Sequence, residues 1–286
     1  MKQIKNTIKT DLAWKRLYNR LDADGLVPKK SERTTLIRIK PVYYKWTAAI
    51  AVVAISFATL FFTTLRRDSE QKDLLTIQNK KGAITLVTTL EDGSIVYLSD
   101  NAKLNYPSRF DNNRREVYLE GDALFDVSGN KERPFLINTQ DIQVEVLGTS
   151  FYIQDGGNNK FELAVRRGVV RVKQKKNGLE TLVQAGETVR LISGSLHLNP
   201  TKNKDVFDSF TRKIQFKDES IGNILQVINK EFDKITLETT PELSKRPLTV
   251  TFSNNSPERV AQLICLALDL KYTEKEGVYL ITDTGQ

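Results

Sequence analysis

Five carboxylates, Glu91, Asp92, Glu120, Asp122 and Asp126, could support paired acid–base chemistry of the kind that cleaves glycosidic bonds. Their local settings point elsewhere. Asp92 precedes Gly93 in a turn, and Glu120 and Asp122 flank Gly121, so turn and edge roles account for them. The chain has one histidine, His197, and one cysteine, Cys265. That leaves little for a zinc site or a histidine-based triad, and rules out an internal disulfide. Walker loops, dinucleotide fingerprints, serine elbows and zinc spacings are all missing from the sequence. The expectation is a protein without cofactor or metal that is not a turnover enzyme.

With no reaction to position, the elements themselves carry the argument. The 286 residues are 40% hydrophobic and 27% charged, with 15 Gly and 8 Pro, which excludes collagen and wholly disordered chains. The net charge of +8 resembles a nucleic-acid signal until it is located. Residues 1–45 hold 12 of the 43 basic and 4 of the 35 acidic residues, so the rest of the chain is neutral.

Trp46 to Leu65 reads WTAAIAVVAISFATLFFTTL, 20 residues without a charge. As a helix rising about 1.5 Å per residue it would match the ~30 Å hydrocarbon core of a bilayer. Tyr43, Tyr44 and Trp46 stand as interface aromatics, and Lys45, Arg66 and Arg67 can reach the headgroups. The stretch starts too deep for an ordinary cleaved signal peptide, so an uncleaved anchor is expected. Basic residues close to the span tie on its two sides. The full basic N-terminal segment breaks the tie toward a cytoplasmic N-terminus, with the C-terminal part outside the cytoplasm.

Within residues 1–45, TDLAWKRLYNRL predicts a short basic helix capped by Thr10 or Asp11. Trp14, Leu17, Tyr18 and Leu21 fall at i, i+3, i+4 and i+7, one apolar stripe. A single short amphipathic helix has no core of its own. Its stripe calls for a partner protein, a dimer mate or membrane lipid, and the residues leave all three open.

Beyond a 66–82 linker, residues 83–198 read as an all-β domain, solenoid-like or a sandwich. Strand-like runs AITLVTTL, SIVYLS, REVYLEGDALFDV, PFLIN, IQVEVLG, SFYIQ, FELAV, VVRVKQ, TLVQ and TVRLIS, with SLHL after them, alternate with turn signals. Val117, Leu119, Ala123, Phe125 and Val127 share one parity, which predicts a strand pair around Gly121. Ile142, Val144 and Val146 are even, whereas Phe151 and Ile153 are odd, so a bulge or bend is expected across 147–150. Arg166, Arg167, Arg171, Lys173, Lys175 and Lys176 form a basic run that reads as a solvated strand edge; with the N-terminus inside, nucleic acid is not an expected partner.

Residues 199–211 lose periodicity and read as a linker. Residues 212–286 form a small α+β domain of βαβ-like character. Its helix SIGNILQVINKEFD presents Ile221, Ile224, Leu225 and Ile228, and a second helix is capped by Ser256 with Pro257 at its first position. Cys265 falls inside that second helix as a core residue.

The series LEDGSIVYLSDNAKLNYPSRF, REVYLEGDALFDV, RPFLINT, VEVLGTSFYI and GVVRV, over residues ~80–195, resembles the FecR family in the form common in Bacteroidetes. These are membrane-spanning anti-sigma regulators of cell-surface signalling. The C-terminal unit resembles the small secretin and TonB short N-terminal-type domain, and AWKRLYNRL resembles the family's cytoplasmic ends.

The resemblance implies an inner-membrane relay. Its periplasmic part would sense the signalling domain of an outer-membrane TonB-dependent transporter, and Trp14, Leu17, Tyr18 and Leu21 would contact an extracytoplasmic-function sigma factor. The cytoplasmic segment is shorter than is usual in the family, which favours a short activating or weakly binding element over a full clamp. The resemblance also singles out Gly148–Thr149, a bond that some members cut themselves, beside the plain reading of a Gly-Thr at a strand bend. The competing class is a membrane-anchored periplasmic structural or envelope protein that binds glycan or peptidoglycan. In that class the N-terminal segment only tethers.

Overall fold

The structure is a computed structural model that describes residues 14–17, 19–25, 55–56, 74–156, 160–203, 205–232 and 235–284. Residues 1–70 and 71–286 form separate compact units. In the first, residues 14–17 and 19–23 are helical, as are Ile55 and Ser56. The predicted span from Trp46 to Leu65 otherwise lies outside the described residues. Among the described residues no helix is long and apolar enough to cross a membrane.

The second unit is rich in β-structure. With strands numbered in chain order, a seven-stranded sheet runs β1 (Leu74–Gln78), β4 (Lys103–Pro107), β5 (Arg115–Glu120), β7 (Phe135–Asn138), β8 (Ile142–Val146), β11 (Val169–Gln174), β12 (Glu180–Gln184). A nine-stranded sheet runs β14 (Ser195–Pro200), β13 (Glu187–Ile192), β10 (Phe161–Arg167), β9 (Ser150–Asp155), β6 (Ala123–Asp126), β3 (Ile95–Leu98), β2 (Thr85–Thr89), β15 (Lys213–Ser220), β17 (Pro247–Ser253). A three-stranded sheet orders β16 (Thr236–Thr239), β19 (Val278–Asp283) and β18 (Leu270–Lys275).

Side-chain alternation sorts these strands into two cores. Val117, Leu119, Ile137, Val144 and Val172 of the seven-stranded sheet meet Val96, Leu98, Phe125, Phe151 and Leu163 of the nine-stranded sheet, which makes a sandwich. The opposite parity of the nine-stranded sheet, Val87, Ile95, Tyr97, Leu124, Tyr152 and Ala164, packs into a second core with the C-terminal elements. Burial on both faces explains why β3 is an unbroken apolar run, IVYL, with no polar alternation.

The two parity signals acquire a common cause. The strand pair expected around Gly121 is not a hairpin: β5 belongs to the seven-stranded sheet and β6 to the nine-stranded one. All of its same-parity residues nevertheless face the sandwich core, because the chain crosses between sheets at Gly121. A Cβ at Gly121 would lie 3.1 Å from Ala102 Cα, and its φ of +88° also favours glycine. The switch across 147–150 is a second crossing, from β8 to β9, and again both parities point inward.

Four helices lie in the C-terminal part of this unit, among the described residues: α1 (Asp205–Thr211), α2 (Ile221–Asn229), α3 (Pro241–Ser244) and α4 (Pro257–Leu268). Ser220, Thr240 and Ser256 cap the last three by accepting backbone N–H groups. Segment 199–211, read from sequence as a linker, contains the end of β14 and all of α1, whose Phe207 and Phe210 are buried. Segment 66–82 likewise contains β1, paired antiparallel with β4. The strands after residue 212 do not share one sheet. β15 pairs in parallel with β2 and carries β17, extending the nine-stranded sheet, while β16, β18 and β19 form the small sheet.

Candidate functional site

The crossing at Gly148–Thr149 is the most constrained backbone of the sandwich. A Cβ at Gly148 would lie 2.6 Å from Gly129 Cα, so only glycine permits this approach. On the other side, a Cβ at Gly168 would lie 2.6 Å from Thr149 Cγ2 and 3.2 Å from the Gly148 carbonyl oxygen. Two further glycines therefore close around one peptide bond. Val127 N–H donates to the Thr149 carbonyl at 2.9 Å, and Asn130 N–H to the Leu147 carbonyl at 2.7 Å. Thr149 is 2% exposed, and its Oγ1 has no hydrogen-bond partner. A buried hydroxyl without a partner is uncommon and costly.

Behind this crossing lies a charged network. Arg115, only 1% exposed, donates from Nη1 to Asp92 Oδ2 at 2.7 Å and to the Ser128 carbonyl at 2.8 Å. Its Nε reaches the Arg133 carbonyl at 2.9 Å, and its guanidinium lies 5.3 Å from the Phe135 ring centroid. Asp92 also accepts from the Ser94 N–H and hydroxyl, and Ser94 Oγ accepts from Ser128 N–H. The network thus fixes segment 128–130, whose Gly129 packs on Gly148. Sequence reading missed Arg115, Gly129 and Gly168. Alternation of β5 was the available signal, since Arg115 shares the inward parity of Val117 and Leu119.

The other predicted residues separate. Asp92 sits in its turn as expected, bound to Arg115. Glu91 accepts from Phe110 N–H, Glu120 pairs with Lys103, Asp122 accepts from Asp155 N–H, and Asp126 pairs with both Arg167 and Lys230. No two of these carboxylates share a site. Burial pushes the Asp122 carboxyl up from its ordinary value, opposed by the Asp155 N–H.

The basic run is not an edge. β11 lies between β8 and β12, and Arg171 and Lys173 pair with Glu145 and Glu180 on those neighbours. Cys265 is buried in α4, and its burial pushes the thiol up. Among the described residues no cluster could hold a metal ion.

In the first unit, Trp14 is 67% and Leu17 47% exposed, and Leu21 is partly buried. Tyr18 lies outside the described residues. The runs TLET and PLTVTFS form β16 and β17, and among the described residues each ends a sheet with one side unpaired.

Comparisons with known proteins follow the sandwich. Residues 75–171, from β1 into β11, match the family described as FecR protein. Two crystal structures of a candidate anti-sigma factor from Parabacteroides distasonis ATCC 8503, at 1.65 and 2.50 Å resolution, are similar to this chain at 21% and 22% identity. They align over 73% and 74% of this chain and 99% of theirs, each with a TM-score of 0.45. No curated protein matches. Through residues 75–171, the chain is similar to the FecR family.

Proposed function

We propose that this protein is a membrane-spanning anti-sigma regulator. The observation that carries the reading is the coincidence of the FecR match with the sandwich between β1 and β11. Residues 46–65 anchor it in the inner membrane, with the N-terminus in the cytoplasm and residues 71–286 in the periplasm. The exposed Trp14 and Leu17, with Tyr18 and Leu21, bind an extracytoplasmic-function sigma factor as a helix laid in a groove. The signalling domain of an outer-membrane TonB-dependent transporter docks on the C-terminal elements by adding a strand to an open edge, β17 or β16. The reading is supported by the unpaired side of both strands.

The protein performs no turnover chemistry. One self-directed step fits the crossing. Thr149 Oγ attacks the Gly148 carbonyl carbon, the C–N bond breaks, and the hydroxyl proton ends on the freed Thr149 amine. Water then hydrolyses the ester to a Gly148 carboxylate and restores the hydroxyl. The unpartnered Oγ1 and the side chain-free Gly148 favour that approach.

A reporter driven by the cognate sigma factor tests the relay. Thr251→Lys places a charge on the exposed face of edge strand β17 and should abolish induced output while basal output persists. Unchanged induction would remove β17 as the docking edge.

A further inference from the structure

The seam between the nine-stranded sheet and the C-terminal helices encloses two adjoining cavities that the signalling reading leaves unused. One, of about 290 Å³, is walled by Ile214, Val227, Phe252 and Tyr97, with Glu231 and Asn254 at its rim. The other, of about 480 Å³, is lined by Asp126, Ser150, Arg166, Arg167, Lys230 and Glu231. Tyr97, Thr211 and Glu231 are common to both. The smaller volume lies just under, and the larger inside, the ~300–1,000 Å³ range of small-molecule sites, which favour such seams.

The charges in the polar chamber are not equivalent. Asp126 is saturated, since Arg167 Nη2 and Lys230 Nζ each lie 2.9 Å from one of its oxygens. Arg166 and Glu231, by contrast, make no side-chain hydrogen bond or ion pair among the described residues, although Arg166 acts electrostatically on Glu231. Burial of the Glu231 carboxyl pushes its pKa up, with Arg166 opposing. Both residues are exposed, and they line one polar space as opposite charges with no ion pair between them. A solute carrying both an ammonium and a carboxylate would satisfy them together.

We propose that this seam is a binding site for a free α-amino acid with an apolar side chain. Glu231 takes the ammonium, Arg166 takes the carboxylate, and the side chain enters the chamber of Ile214, Val227 and Phe252. An occupant would touch β3, β10, β15, α2 and β17 at once, and so would clamp the sandwich to the C-terminal elements. The site does not depend on the anti-sigma reading.

The test is ligand-observed saturation-transfer NMR on the purified full-length chain with L-phenylalanine, phenethylamine and 3-phenylpropionate. L-Phenylalanine should bind saturably with a dissociation constant below roughly 1 mM, and each analogue about tenfold more weakly, because each leaves one charge unpaired. Glu231→Gln should erase the preference for phenylalanine over phenylpropionate, and Arg166→Gln the preference over phenethylamine. Arg171→Gln, on the other sheet, should bind as the parent does. The proposal is overturned if phenylalanine shows no saturable binding up to about 10 mM. It is equally overturned if Glu231→Gln and Arg166→Gln keep the parent's preferences, or if Arg171→Gln loses binding with them.

Discussion

Arg115 is a full charge at 1% exposure, held by one carboxylate, two carbonyls and an aromatic face. Arg115→Ala leaves Asp92 buried without its cation, and urea unfolding should register a loss of about 3–5 kcal/mol. Thr149→Val behaves oppositely. Its hydroxyl has no partner to lose, so the variant should be at least as stable as the parent, by up to about 1–2 kcal/mol. If the crossing cleaves itself, the same variant yields an intact chain on a denaturing gel.

Glu231 makes a pH-dependent prediction. Its folded pKa is raised by burial, so the folded state holds the proton more tightly than the unfolded state. That contribution is present at low pH and is lost as pH rises through the ordinary carboxylate range and past it. Glu231→Gln should therefore raise the melting temperature at neutral pH and leave it unchanged near pH ~4, where the parent is already protonated.

At the scale of elements, the nine-stranded sheet does most of the organising, because its middle strands are buried on both faces. β15 lies beside β2 in register Ile214 with Thr85 and Phe216 with Val87, so the C-terminal elements continue the sheet of the sandwich. Phe216 is fully buried at this join, stacked edge-on against Phe252. Phe216→Ala should cost about 3–5 kcal/mol and lower the stability of β2 as well as of β15, measurable by amide exchange in both strands. Protection lost in β15 alone would contradict this.

The alternation of Val117 to Val127 and of Ile142 to Ile153 was legible in the sequence, as were the Ser220 and Ser256 caps, since these are local signals. The two sheet crossings were not, because a parity record tells which residues face inward but not which sheet they face from. α1 escaped notice because seven residues with two phenylalanines give too short a period. β4 and β1 were missed for a related reason: each is five residues long, and β1 pairs only with β4, some 25 residues on. Arg115 was hidden by its type, since a cation in an apolar parity reads as an interruption until its carboxylate is found 23 residues away.

At the scale of the molecule, a sandwich whose residues 75–171 match the FecR family model shares its larger sheet with the C-terminal elements, and the proposed membrane span would tie it to the short N-terminal helix. The basic excess is confined to residues 1–45, which on the proposed topology would face an anionic leaflet, and residues 46–286 carry no net charge. The central claim is that the Trp14, Leu17 and Leu21 stripe meets a sigma factor and not lipid alone. A pull-down of the tagged, detergent-solubilised full-length chain, read by mass spectrometry beside the Leu17→Asp/Leu21→Asp variant, tests it most directly. The account predicts an extracytoplasmic-function sigma factor recovered with the parent and absent from the variant. Recovery of envelope proteins alone, in equal amounts from both, would contradict it and make the N-terminal helix a tether.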